Sequence, residues 1–197
     1  MLIRRLIVVL FSLHFAAGAL SARAQAVPSA YAQRFTINVG ALGSVFQPDY
    51  RGGGVPQTGP FRLYGPGAYV DVKLTRYVQF EAEARWLRFN PYLDIRQDNY
   101  LVGPRLPIEK LRYKRALPYA KVLVGYSRMN FEYNSILGHY TDLAFGGGID
   151  VKLTKKITLR AIDFEYQKWL GWPNIPGIPN SPLSPNGGSV GFSYKVF

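Results

Sequence analysis

The side chains able to do chemistry in this chain are few, and their spacing narrows what they can do. Glu81, Glu83 and Arg85 stand at alternate positions of one stretch, and Asp163 and Glu165 at alternate positions of another. Paired carboxylates serve as general acid and base when their surroundings split their pKa values. Here cations accompany both rows, so the pattern reads first as a lattice of mutually neutralising charges. His139 is followed by Tyr140 and Thr141. Thr141 as a nucleophile would need a base held beside it, and nothing in the spacing supplies that orientation. His139 therefore reads as a loop or rim residue. The chain has no cysteine, which excludes disulfides, thiol nucleophiles and thiolate metal sites. No cluster of ligating types is seen, so neither a metal nor a cofactor is expected.

The elements that must position these charges are strands. Phe35, Ile37, Val39, Ala41 and Val45 alternate with Thr36, Asn38, Gly40 and Ser44, and Val78, Phe80, Ala82, Ala84 and Trp86 alternate with Gln79, Glu81, Glu83 and Arg85. The same period of two runs through 68–74, 120–127 and 143–153, and it marks strands with one apolar and one polar face. An Arg or Lys facing hydrocarbon at mid-membrane costs about 2–4 kcal/mol. If these strands span a bilayer, Asp71, Lys73, Glu81, Glu83, Arg85, Lys121, Asp150, Lys152, Asp163 and Glu165 must line a shared lumen and pair across it.

The breaks between strands set the topology. Leu74–Tyr77 and Leu153–Lys156 are tight turns, whereas 47–63, 87–98, 131–141 and 170–188 are long and rich in Gly, Pro and Asn. Strands are expected near 34–46, 64–74, 77–87, 99–107, 115–130, 141–153, 157–169 and 189–197. Pro104 and Pro107 interrupt the fourth. The expected fold is all-β: an antiparallel up-and-down transmembrane β-barrel of eight strands, with short turns and both chain ends on the periplasmic side. Asp71-Val72-Lys73-Leu74-Thr75 recurs as Asp150-Val151-Lys152-Leu153-Thr154, so strands 2–3 and 6–7 look like copies of one hairpin. In the second copy Arg160 takes the place of Glu81, and Asp163, Glu165 and Gln167 fall on the opposite parity. A β-bulge near Ala161 would return them to the lumen; otherwise Arg160 would snorkel at the periplasmic interface.

The N-terminus reads as an export signal: Arg4 and Arg5, then an apolar run from Leu6 to Leu20, then Ala22-Arg23-Ala24. The run is shorter than the ~20 residues a spanning helix needs. Cleavage is expected after Ala24, with Ala26 the alternative, leaving a segment 25–33 before a barrel over 34–197. Loss of Arg4, Arg5 and Arg23 without any acid lowers the formal charge from +12 to +9. Nucleic acid does not explain that charge, because the basic residues are dispersed and the compartment offers none.

Phe35, Tyr77, Trp86, Phe89, Phe131, Trp169 and Trp172 fall near strand ends, where aromatic rings anchor at membrane interfaces. Lys110, Arg112, Lys114 and Arg115 form a basic cluster in the longest periplasmic turn, suited to anionic headgroups or an acidic partner. In the last external loop, 172–186, Pro173, Pro176, Pro179, Pro182 and Pro185 recur every third residue, the polyproline II period. With Trp172 and Leu183 that loop offers a surface for another protein, or else a rigid connection.

The run Gly146 to Thr154 and its earlier copy resemble the outer membrane protein A-like transmembrane barrel superfamily, as do Tyr100–Arg105 and Pro118–Tyr126. The resemblance implies an outer-membrane location among phospholipid and lipopolysaccharide, and insertion by the barrel-assembly machinery. That machinery reads a terminal aromatic, and here Phe197 is out of phase with Val190, Phe192, Tyr194 and Val196. The motifs are structural and imply a fold, not an activity. Outer-membrane lipid A deacylases place a His and a Ser two residues apart on one strand, and His139-Tyr140-Thr141 departs from that pattern. The expected function is a non-enzymatic barrel with a structural or surface-interaction role and a plugged, salt-bridged lumen. A passive porin-like channel is the alternative, and an outer-leaflet lipid-modifying enzyme the second.

Overall fold

Alternation along the chain becomes a closed sheet. The computed structural model describes residues 36–49, 62–75, 77–88, 95–130, 137–171 and 182–197. The proposed signal (1–24), the segment 25–33, and Phe35, Phe89, Phe131 and Trp172 lie outside them. Eight strands, β1 (Thr36–Gln47), β2 (Leu63–Lys73), β3 (Gln79–Leu87), β4 (Arg96–Pro107), β5 (Ala116–Asn130), β6 (Leu137–Lys152), β7 (Ile157–Gly171) and β8 (Asn186–Lys195), pair antiparallel in sequence order, and β8 closes on β1. Closure leaves no unpaired sheet edge, the condition for strands to cross hydrocarbon. Among the described residues no helix is long and apolar enough to cross a membrane.

The two faces separate as the period of two requires. Val102, Val124, Ile162, Phe164, Val190 and Phe192 point outward and are 50–60% exposed, while Asp71, Glu81, Glu83, Arg85 and Lys121 point inward and are buried. A water-soluble protein does not wrap a belt of valine and phenylalanine around a charged interior. The turn from β2 to β3 and the turn from β6 to β7 share one device. Thr75 Oγ1 accepts the N–H groups of Tyr77 and Val78, and Thr154 Oγ1 those of Lys156 and Ile157. The repeated Leu-Thr is thus a repeated side-chain-to-backbone turn.

Two expectations about strand continuity resolve differently. The prolines do not shorten β4, which runs from Arg96. Pro104 faces outward opposite Phe80, and pairing with β5 is missing only at Gly103 and Pro104 before resuming in the same register. The bulge in β7 is present. Ile149 pairs with Ile162 and Asp150 with Arg160, so Ala161 is the extra residue, and the ladder to β8 shifts at the same place. Ala161 and Ile162 are both exposed, and Asp163, Glu165 and Gln167 turn inward. Arg160 does not snorkel; it is fully buried in the lumen.

The bulge also overturns one expectation. Trp169 was assigned to the membrane interface by its match to Trp86, but beyond Ala161 the parity has flipped. Trp169 is fully buried inside the barrel, where its Nε1 donates to Gln167 Oε1 at 3.0 Å. Trp86 and Tyr77 stay on the outside, and Trp86 donates to the Tyr100 hydroxyl. The last strand ends at Lys195, so Phe197 lies past the ladder, with its N–H reaching Ile37 O at 3.5 Å.

Candidate functional site

In the lumen polar side chains of many strands meet, and its contents change with depth. At the end bearing the long connections, Phe46, Leu63, Leu87, Ile95, Met129 and Trp169 form an apolar cluster, with Tyr140 and Leu183 packed against it. These are inward positions near the ends of five strands and the residue before a sixth, so their apolar side chains gather as a cap at that end of the lumen. Leu183 was expected to add exposed apolar surface to the Pro-rich loop. Instead its carbonyl accepts the Trp169 N–H at 2.8 Å and its side chain joins the cap. Residues 172–181 of that loop lie outside the described ones.

Beneath the cap lies a layer of neutral donors and acceptors around one acid. Asp142 accepts from Ser127 at 2.6 Å and from Asn99 at 3.3 Å, and Asn99 also reaches Gln167. The ionic layer follows. The Lys121 ammonium touches Glu81 at 2.8 Å, Glu83 at 3.1 Å, Asp163 at 2.8 Å and Glu165 at 2.5 Å. Arg85 holds Glu165 bidentately at 2.6 and 2.7 Å and Glu83 at 2.6 Å. Arg160 grips Glu81 at 2.6 and 3.1 Å, and Arg105 bonds Asp150 at 2.6 Å and Gln79 at 2.9 Å. Six carboxylates (Asp71, Glu81, Glu83, Asp150, Asp163, Glu165) thus face four cations drawn from β3, β4, β5 and β7. Arg105 and Arg160 also stack on Tyr119 and Tyr69, with guanidinium carbons 3.6 and 3.7 Å from the ring centroids.

Glycines make room for this layer. A Cβ on Gly146 would come within 2.7 Å of Glu165 Cγ, and one on Gly148 within 2.7 Å of the Tyr119 hydroxyl, both also striking β7 backbone oxygens. The glycine run of β6 therefore leaves space for the charged side chains of its neighbours.

The structure splits the sequence-expected lattice. Asp71, Glu81, Glu83, Arg85, Lys121, Asp150, Asp163 and Glu165 meet in it. Lys73 and Lys152 do not; they line the opposite mouth. Arg105 and Arg160 were absent from the expected set. Arg105 shares the inward parity of Leu101 and Gly103, a signal masked by reading Pro104 as a break. Glu81, Glu83 and Asp163 present oxygens within 4.8 Å of one another, as a divalent cation would require. The Lys121 ammonium sits among them, so the cation this cluster binds is its own lysine. With all four acids bound to Lys121 or Arg85, none is placed as a free general acid or base. His139 lies on the outer face of β6, hydrogen-bonded to the Tyr126 hydroxyl and stacked on that ring, and is not beside a nucleophile.

At the short-turn end the lumen opens into a cavity of about 670 Å³. The basic turn between β4 and β5 contains a short 3-10 helix, Glu109–Leu111. Its four cations do not act together. Arg112 and Arg115 line the cavity, whereas Lys114 lies over the Tyr113 ring and Lys110 is not among the lining residues. Glu109 chelates Arg112 at 2.7 and 2.8 Å, and that hydrogen bonding raises the guanidinium above its ordinary pKa.

The model of the outer membrane protein beta-barrel domain matches residues 12–195. The chain belongs to this family. Among solved structures this barrel is similar to Neisserial surface protein A, at 12% identity and TM-score 0.55 over 81% of this chain and 96% of that one. It is likewise similar to the outer membrane protein OprG of Pseudomonas aeruginosa, at 13% identity and TM-score 0.55 over 83% and 96%. The N-terminal β-barrel domain of OprF from the same organism matches at 10% identity and TM-score 0.52 over 82% and 99%. At these identities the likeness is one of fold. No curated protein sequence matches the chain significantly. The family places the barrel in the bacterial outer membrane.

Proposed function

We propose that this outer-membrane barrel does not conduct and is not an enzyme. It acts as a rigid membrane body that supports the envelope and presents its long connections at the cell surface. The observation that carries this reading is the sequence of closures along the lumen. An apolar cap, an amide layer and a charge network follow one another along the lumen, and an eight-stranded barrel has room for little more than such side chains. Conduction would require Lys121, Arg85 and Arg160 to leave carboxylates they hold at 2.5–2.8 Å in a buried setting.

In this reading the short turns and the chain ends face the periplasm and the long connections face outward. Outer-membrane phospholipid and lipopolysaccharide surround the apolar belt, the barrel-assembly machinery inserts it, and the Pro-rich loop 172–186 offers a surface to a partner. Liposome swelling tests the reading. Vesicles containing the folded protein should hold their volume in an isotonic-sugar challenge as empty vesicles do. Swelling that scales with protein content would replace this function with that of a passive channel.

A further inference from the structure

The periplasmic mouth is unlike the rest of the lumen, because most of its charges are positive and lack an ion-pair partner. Lys73 from β2, Arg115 from the turn before β5, Lys152 from β6, Lys155 from the turn after it, and Lys195 from β8 all line the same cavity, whereas the neighbouring Lys156 ammonium lies over the outward-facing Tyr194 ring. Among the described residues no carboxylate comes within ion-pair distance of any of them. The two acids nearby are committed elsewhere. Asp150, on the cavity wall, is turned to Arg105 at 2.6 Å, and Glu109 is engaged by Arg112.

These five cations come from four separate stretches of chain, and only closure of the barrel brings them together. Like charges around a low-dielectric concavity repel one another and focus a positive potential into it. Such a ring costs stability unless an anion occupies it. Thr36, Asn38, Thr154 and Thr158 add hydroxyl and amide groups to the wall. The cavity is of the size of small-molecule sites. Its floor, where Arg105 is bonded to Asp150 and Gln79, is packed with paired groups and stops an anion from passing inward. The mouth is therefore a cup, not the entrance to a pore.

We propose that this cup is a binding site for a phosphate-bearing anion carrying two or more phosphate charges. Lysines and an arginine on several strands supply charge-assisted hydrogen bonds to its oxygens. The phosphate can belong to a soluble periplasmic molecule or to headgroups of the adjoining leaflet, and the experiment separates the two.

The full-length folded protein in zwitterionic detergent is titrated calorimetrically with tripolyphosphate at physiological salt. Saturable binding at one site is expected. Lys152→Gln/Lys195→Gln should weaken it about tenfold or more, the minimum for losing one charge-assisted hydrogen bond. Lys110→Gln/Lys114→Gln removes the same charge from the same end of the barrel but outside the cup, and should leave binding within about twofold. Heat-dependent mobility on SDS gels checks that each variant is folded; if the first pair is not, Lys73→Gln/Lys155→Gln is read in its place. Repeating the titration in nanodiscs identifies the source. Binding equal in phosphatidylcholine and phosphatidylglycerol discs indicates a soluble anion, and binding lost only in phosphatidylglycerol indicates a headgroup. Absence of saturable binding, or equal weakening by the inside and outside pairs, overturns the proposal.

Discussion

Replacing Lys121 with methionine tests whether the lumen network holds the barrel together. Methionine keeps most of the stem volume and removes one ammonium that touches four carboxylates at 2.5–3.1 Å. The ionic layer then has six carboxylates against three cations instead of four. Removing one partner of a buried ion pair costs about 3–5 kcal/mol, because the other charge is left uncompensated. The folded population should thus fall by roughly two to three and a half powers of ten relative to the unfolded one. The assay is reversible urea unfolding in lipid vesicles, followed by tryptophan emission and by mobility on unboiled SDS gels. Adding Glu83→Gln to Lys121→Met removes one carboxyl group left without its ammonium partner and should restore part of the loss. A loss below about 1 kcal/mol, the range of solvent-exposed pairs, would mean that water screens the network and that the layer is not a seal. So would a double variant less stable than Lys121→Met alone.

Two further outcomes follow from the register. In vesicles of bromine-labelled lipid, a variant retaining only Trp86 should be quenched and one retaining only Trp169 should not; quenching of Trp169 would contradict the parity flip at Ala161. Thr75→Val and Thr154→Val each remove two hydrogen bonds to turn N–H groups. Each should cost about 1 kcal/mol in the same urea assay, and markedly unequal costs would show that the two turns are not equivalent.

Much of the barrel was legible because its signals are local. Period-2 alternation placed the strands, the repeated Leu-Thr marked the two tight turns, and the misplaced parity of Asp163 and Glu165 pointed to the bulge as one of two ways to seat them. What was missed depends on neighbours that are far apart in sequence. Trp169 was read by analogy with Trp86, although the bulge that saves Asp163 for the lumen carries Trp169 inward as well. Arg105 was hidden because Pro104 was weighed as a strand breaker; facing outward, it leaves the register intact. The apolar cap draws Phe46, Leu63, Leu87, Ile95, Met129 and Trp169 one by one from the ends of otherwise polar rows, so no single strand announces it. The basic turn was read as one patch of four, and only the folded chain sorts Arg112 and Arg115 into the mouth and gathers Lys73, Lys152 and Lys195 beside them.

The closed lumen is tested most directly by single-channel recording of the folded protein in planar bilayers. The cap and the Lys121 network predict a flat baseline at all moderate voltages, with protein insertion verified by its heat-dependent gel mobility. Steady, discrete conductance steps from the same preparation would contradict the closure, and with it the reading of this barrel as a rigid, non-conducting membrane body.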